Sequence, residues 1–217
     1  MNSKTIKEIL ILILTLVPAA YLAWLWNQLP ETVPVHFDIN GQPDRYGSRQ
    51  TLIWLCGGLS VFLYGIMWIL PKIDPKKKLE LMGEKYTDIR LVLAVFFAFL
   101  LIIIIRSSKE QSSIGASELS IVIGGLFLVL GNYLKTIRPN YMLGIRTPWT
   151  LENEQVWKDT HRLGGYVFMA GGVLVCLAGL LLNAKFSFIV MMVVVLTTTL
   201  VPLVYSYVRY REIKKAS

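Results

Sequence analysis

The longest apolar run, Phe186–Val208, reads FSFIVMMVVVLTTTLVPLVYSYV and contains no charged residue. A helix rises about 1.5 Å per residue, so about 20 such residues cross the ~30 Å hydrocarbon core of a bilayer. Because lipid offers the backbone no hydrogen-bond partner, a run of this kind is expected to be helical. The run therefore predicts an integral membrane protein.

Five further apolar runs have comparable lengths: Ile9–Trp26, Leu52–Leu70, Ile89–Ile105, Leu119–Leu134 and Tyr166–Leu182. Only 17% of the residues are charged, against about 25% in soluble proteins, and the charges cluster between the runs. No run alternates with the period of two that a membrane barrel requires. We predict an all-α integral membrane protein with six transmembrane helices. A cleaved signal peptide is the alternative for the first run, and would leave five spans.

The distribution of Lys and Arg predicts the orientation. If the loops alternate sides, 17 of the 22 basic residues lie in the two tails and in the second and fourth loops. Basic loops stay in the cytoplasm, so both termini are predicted to be cytoplasmic. The same rule accounts for the net charge of +8 without a nucleic-acid partner. We divide the chain into a two-span region, residues 1–90, and a four-span region, residues 91–217.

The outer loop, residues 27–51, contains the segment LPETVPVHFDINGQPDRYG at Leu29–Gly47. Apolar residues alternate from Val33 to Phe37, which predicts a short strand with one apolar face, and Asn40-Gly41 suits a hairpin turn. Exposed aromatic and charged residues on such a hairpin favour ligand recognition, although a solvated loop also explains them. The candidate ligand-binding residues are His36, Phe37, Asp38, Asp44 and Arg45. One His and two carboxylates are a weak metal set, and no metal is predicted.

The inner loop, residues 135–165, contains the segment KTIRPNYMLGIRTPWTLENEQVWKDTHRLGG. Thr150 is predicted to cap a short amphipathic cytoplasmic helix that ends at Gly164-Gly165. This helix either lies in the membrane interface or belongs to a structured surface that contacts a partner. The candidate partner-binding residues are Arg138, Asn140, Arg146, Trp149, Trp157 and His161.

Several absences narrow the function. No Asp, Glu, Lys or Arg falls near the middle of a predicted span, which weakens the alternative of a small-solute transporter or permease. The sequence contains no Walker, HExxH, GxSxG or flavin motif, so neither an enzyme nor a cofactor is predicted. Glycines such as Gly124, Gly131 and Gly172 are expected to allow close helix packing.

Two segments resemble a known family. Leu29–Gly47 resembles the domain of unknown function 1648, and Pro71–Pro75 fits the continuation of that domain. Gly131–Gly165 resembles the signature of the SdpI family. The resemblance implies a multi-pass protein of the bacterial plasma membrane that protects a cell from a secreted toxic peptide bound outside. It also implies that such a protein can act as a receptor that holds a transcriptional repressor at the membrane.

Overall fold

The computed structural model describes residues 2–75, 77–112 and 115–216. Within these ranges, six helical segments are long and apolar enough to cross a membrane, in agreement with the predicted number of spans. The helices are α1 (Ser3–Leu25), α2 (Gln50–Ile53), α3 (Ser60–Ile73), α4 (Glu84–Glu110), α5 (Ala116–Leu134), α6 (Pro148–Glu152), α7 (Glu154–Leu181) and α8 (Ala184–Ala216). A π-helix, Trp54–Leu59, joins α2 and α3 into the second span.

The spans alternate in direction, so the loops fall into two groups at opposite ends of the bundle. The predicted outer loop shares its end with the α4–α5 and α7–α8 connections, and the predicted inner loop lies with the chain termini. Which end faces the cytoplasm stays a prediction from the basic residues. The division of the chain at residue 90 also stays a prediction, and α4 runs across it.

The antiparallel helices α5 and α7 pack with their backbones in close contact. A Cβ atom added at Gly172 would lie 2.6 Å from the Gly124 carbonyl oxygen, and one added at Gly131 would lie 2.8 Å from that of Gly165. Gly165, Gly172 and Gly179 are seven residues apart, as are Gly124 and Gly131, so each set follows one helix face. The predicted close packing at glycine is confirmed for this pair.

The outer loop contains an antiparallel hairpin of β1 (Thr32–Phe37) and β2 (Pro43–Ser48). Its turn includes Gly41, whose φ of 76° is readily adopted by glycine. The register shifts between Pro34 and His36, so Val33 and Pro34 are both buried whereas Val35 is exposed. The predicted short strand is confirmed, but the prediction that it has one apolar face is wrong, because the irregularity rotates the strand.

The inner loop differs from its prediction in how its helices begin and end. Thr147, rather than Thr150, caps α6, because Pro148 occupies the first helical position. The Asn153 side chain caps α7 by accepting hydrogen bonds from the backbone N–H groups of Gln155 and Val156. The helix then continues through Gly164-Gly165 into the fifth span, so no separate amphipathic helix ends there. At Gly165 a Cβ would lie 2.7 Å from the Gly131 oxygen, so this glycine serves packing rather than termination.

Candidate functional site

The hairpin is anchored to the helices through β1. The side chain of Val33 is fully buried in an apolar cluster that includes Leu22 and Leu25 of α1 and Leu101 of α4. The Gln111 side-chain amide donates a hydrogen bond of 3.2 Å to the Thr32 carbonyl. The first strand is thus fixed to the ends of α1 and α4.

Asp38 organises the turn of the hairpin. Its Oδ1 accepts hydrogen bonds of 2.8 Å from the backbone N–H groups of Asn40 and Gln42, and its Oδ2 accepts one from the Asn40 side chain. Hydrogen bonds from Gln42 and Asn40 hold the pKa of Asp38 below its usual range, because they favour the charged carboxylate. The carboxylate of this candidate residue is therefore used within the turn.

His36 and Asp44 form an exposed pair across the two strands. Their Nδ1 and Oδ1 atoms are 2.6 Å apart, and about half of each side chain is accessible. Arg45 lies opposite His36 in the strand register and is also exposed. These three polar side chains are presented on the outer surface of the hairpin.

A groove of about 290 Å³ separates the hairpin from the ends of α5 and α8. Three of the predicted ligand residues, His36, Phe37 and Asp38, line it, whereas Asp44 and Arg45 lie on β2 outside the lining. The remaining lining residues are Val35, Ile39, Gly41, Leu119, Ser120, Ala184, Phe188 and Met191. Most of the wall is apolar, as in sites that take apolar side chains.

The helical side of this groove was missed by sequence reasoning. Leu119, Phe188 and Met191 lie in ordinary apolar runs, and nothing in their spacing separates them from lipid-facing neighbours. One polar feature could have been informative: Ser120 of α5 and Ser187 of α8 are buried and share a hydrogen bond of 2.7 Å. This pair joins the two helices beside the groove.

At the opposite end, the inner loop is organised around His161 and Trp157 of α7. His161 Nε2 accepts a hydrogen bond of 3.0 Å from the Ile145 backbone, and Nδ1 donates one of 2.9 Å to the Trp157 carbonyl. The two rings stack at 4.0 Å, and the Trp157 indole donates to the Ile137 carbonyl at 2.8 Å. Both side chains are about 1% exposed, so they hold the loop from within.

Polar side chains complete the loop. Asn140 is buried, donating to the Arg138 carbonyl and accepting from the backbone of Met142 and Leu143. Thr147 reaches across to Ser206 of α8 with a hydrogen bond of 3.0 Å. The loop is therefore tied to the helix bundle through hydrogen bonds and not only through apolar contacts.

Helix α6 docks on the end of α8. Trp149 packs against Tyr207 with ring centroids 5.0 Å apart, and Tyr210 donates a hydrogen bond of 2.8 Å to Glu152. Arg209 of α8 also forms an ion pair with Asp159 of α7, with 2.8 Å between Nε and Oδ2. The last turns of α8 thus support the inner loop.

The six predicted partner-binding residues separate into two groups. Asn140, Trp157 and His161 are buried, whereas Arg138 and Arg146 are exposed and Trp149 is half-buried. Arg146 donates a hydrogen bond to the Tyr141 carbonyl, which holds it against the loop. A partner at this face would meet the second group and not the first.

Six apolar spans, a hairpin at one end and an ordered loop at the other define a multi-pass membrane protein. Residues 136–206 match the SdpI/YfhL protein family, and residues 13–61 match the domain of unknown function 1648. The family resemblance expected from the two sequence segments is confirmed. Both the hairpin's first strand and the buried core of the inner loop lie within the matched ranges.

Two relatives extend this result. The chain is 26% identical over 215 residues to the immunity protein SdpI of Bacillus subtilis (strain 168), covering 97% of each chain. A 48-residue segment is 48% identical to an uncharacterized protein of Archaeoglobus fulgidus, covering 20% of this chain and 26% of that protein. No solved structure matches the chain.

Proposed function

We propose that this protein is a membrane immunity protein that protects the cell by binding an apolar part of a secreted toxic peptide. The observation that carries the proposal is the groove between the hairpin and the ends of α5 and α8. The name of the full-length Bacillus subtilis relative supports the class of function.

The chemistry of the groove suits a peptide better than a small polar solute. Apolar side chains such as Phe37, Phe188 and Met191 form the walls. The exposed pair of His36 and Asp44 lies near the rim, on the same hairpin. A peptide segment can place apolar side chains between the walls while its backbone stays near the polar rim.

The proposed orientation places this groove outside the cytoplasm. Basic residues are concentrated at the opposite end, which the positive-inside rule assigns to the cytoplasm. Single cysteines at exposed positions test this in intact cells: a variant at Ser48 should react with an impermeant thiol reagent, whereas one at Lys158 should not. Labelling of the Lys158 variant alone would contradict the predicted orientation and indicate the opposite one.

Two neighbouring phenylalanines provide a matched test of binding. Phe188 lines the groove, whereas Phe186, two residues away on α8, is 55% exposed and does not. Loss of an aromatic side chain from a binding site typically costs about 2 kcal/mol, roughly a 30-fold loss of affinity. We expect Phe188→Ala to abolish most protection against the toxic peptide and Phe186→Ala to retain it.

The experiment uses toxin-sensitive cells that express each variant, with equal membrane levels confirmed by immunoblotting. The inhibitory concentration of the peptide is the measured quantity. Equal protection by the two variants would contradict binding in this groove. Deletion of the gene without any change in peptide sensitivity would contradict the immunity function itself.

We also propose a receptor role in which the inner end holds a cytoplasmic repressor. Arg138, Arg146 and the accessible part of Trp149 form an exposed basic and aromatic surface supported by α8. Such a surface suits an acidic protein partner, because guanidinium groups pair with carboxylates. The α7 and α8 helices run from this end to the other end of the bundle.

A reporter gene fused to the protein's own promoter tests this second role. We expect wild-type cells to induce the reporter on exposure to the toxic peptide, and Arg146→Ala to lose induction while keeping protection. Arg162→Ala is the control, since this arginine is exposed on α7 but is not part of the surface of Arg138, Arg146 and Trp149. Unchanged induction in Arg146→Ala would contradict the receptor role without affecting the immunity proposal.

A further inference from the structure

A buried arginine lies within the membrane-spanning part of α4. Only 6% of the Arg90 side chain is accessible, and its Nη1 is 2.5 Å from Glu8 of α1. The guanidinium carbon also lies 5.6 Å from the centre of the Tyr64 ring. The positive charge is therefore held between the first three spans.

This pairing leaves part of the guanidinium without a partner. The buried Nε and Nη2 atoms have no hydrogen-bond partner among the described residues, and neither does the buried hydroxyl of Ser60. Nε–H and Nη2–H lie on one edge of the planar group, the edge that binds carboxylates and phosphates through two parallel bonds. A buried donor pair of this kind is unfavourable unless something accepts from it.

Arg90 and Ser60 are among the residues that line a cavity between α1, α3 and α4. Its volume is about 90 Å³, and the wall apart from Arg90 and Ser60 is largely apolar, with Leu63, Leu93 and Phe97 among its residues. Ser60 directly follows the π-helix Trp54–Leu59. Irregular turns of this kind often occur at functional sites, because they re-aim the following side chains.

We propose that this cavity is a binding site for an acidic membrane phospholipid, whose phosphodiester oxygens accept from the unpartnered Nε–H and Nη2–H groups of Arg90. The position suits a lipid head: Arg90 lies six residues into α4, about 9 Å from the start of the helix. The apolar wall continues from it toward Phe97 and accommodates the start of an acyl chain.

The charges around the site favour an acidic lipid near it, although Glu8 already neutralises Arg90. Exposed lysines at positions 72, 77 and 85 lie at the same end of the bundle, where they attract anionic head groups. Glu8 occupies only Nη1, so the two remaining donors stay available to a second acceptor. Two directed hydrogen bonds hold the phosphodiester, which all phospholipids share, and the lysines favour a lipid of net negative charge over a zwitterionic one.

Purified full-length protein in neutral detergent provides the test. Its thermal unfolding is followed while phosphatidylglycerol, phosphatidylcholine or inorganic phosphate is added. We expect phosphatidylglycerol to raise the melting temperature at concentrations at least tenfold lower than phosphatidylcholine. Equal effects of the two lipids would overturn the proposal, because they would show that an acidic lipid is not selected. A full effect of inorganic phosphate would overturn it too, because it would indicate a site for a free anion.

Filling the cavity separates binding from folding. Ala94 lines the cavity, whereas Ala170 of α7 is exposed on the outer surface of the bundle. We expect Ala94→Leu to weaken the phosphatidylglycerol effect at least tenfold and Ala170→Leu to leave it unchanged. The double variant Glu8→Gln/Arg90→Gln, which removes both charges together, should lose it as well. Retention of the full effect in the double variant would overturn the assignment.

Native mass spectrometry of the protein purified from cell membranes adds a direct measurement. We expect one phosphatidylglycerol to remain bound to the wild type and to the Ala170→Leu variant, and to be absent from Ala94→Leu. Lipid retained equally by all three proteins would overturn the site. This result is independent of immunity, because none of these residues lines the groove.

Discussion

The outer hairpin and the inner loop are both rich in aromatic, charged and turn-forming residues, yet the structure uses them differently. In the inner loop Asn140, Trp157 and His161 point inward and their polar atoms bond to the backbone of the loop. In the hairpin, Val33 is buried in a cluster with helix side chains, and His36 and Asp44 stay exposed beside a groove. Similar sequence signals thus correspond to an internal support in one region and an accessible surface in the other.

The difference shows how burial limits what a distinctive motif can do. A side chain that is 1% exposed and whose ring nitrogens both bond to the protein cannot also contact a partner. The groove instead has accessible side chains along its walls, which is why we propose it as the place for a ligand.

The largest effect is expected from Gly144→Ala, which breaks the inner loop. Gly144 has a φ of 103°, and an added Cβ would lie 2.4 Å from Nε2 of His161. The substitution combines backbone strain with loss of the Ile145–His161 hydrogen bond, so we expect a destabilisation of about 2–4 kcal/mol. Limited proteolysis within residues 135–147 and thermal unfolding measure the change.

Gly83→Ala is the matched control for that substitution. Gly83 also has a positive φ, of 56°, but no atom lies within 4 Å of the position of its added Cβ. We expect a smaller loss of stability, of about 1–2 kcal/mol, from the backbone strain alone. If the two variants were equally stable, the contact between Gly144 and His161 would not organise the loop.

Two valines on β1 measure how firmly the hairpin is anchored. Val33 is fully buried among helix side chains, whereas Val35 is 41% exposed. Truncation of a buried valine removes apolar contacts and leaves a cavity, so we expect Val33→Ala to cost about 2 kcal/mol and Val35→Ala less than about 0.5 kcal/mol. Hydrogen exchange of the β1 and β2 amides reports the difference, and equal protection in both variants would refute Val33 as the main anchor.

The spans and the hairpin were predictable because their signals are local. The composition of an uncharged run such as Phe186–Val208 is enough to indicate a membrane span. The backbone preferences of Asn40-Gly41 are enough to indicate a turn. The register shift after Pro34 was not predictable in the same way. It depends on how Val33 enters the cluster with α1 and α4, which is a contact between distant parts of the chain.

The helix that passes through Gly164-Gly165 shows the main limit of such reasoning. A glycine pair after a basic turn is a common helix end, but here Gly165 lies against α5. The helical face of the groove was equally hidden, since Leu119 and Phe188 are 69 positions apart and meet only in the folded bundle. Tertiary packing decided both features, and a single sequence does not record it.

The smallest effect concerns the hairpin turn and its dependence on pH. Because hydrogen bonds from Gln42 and Asn40 lower the pKa of Asp38, the folded turn binds a proton less readily than the unfolded chain. The stabilisation of the turn is therefore complete at pH values above the ordinary carboxyl pKa of 3.8 and is lost only as the pH falls through the lowered pKa.

Asp38→Asn should remove this pH dependence while keeping a side-chain oxygen as an acceptor. The measured quantity is the amide exchange rate of Asn40 and Gln42 in the variant divided by the rate in the wild type, from about pH 5 to about pH 2.5. Taking this ratio cancels the intrinsic effect of pH on exchange. We expect the ratio to fall toward one at the acid end, and a ratio that stays constant would show that the charge of Asp38 does not order the turn.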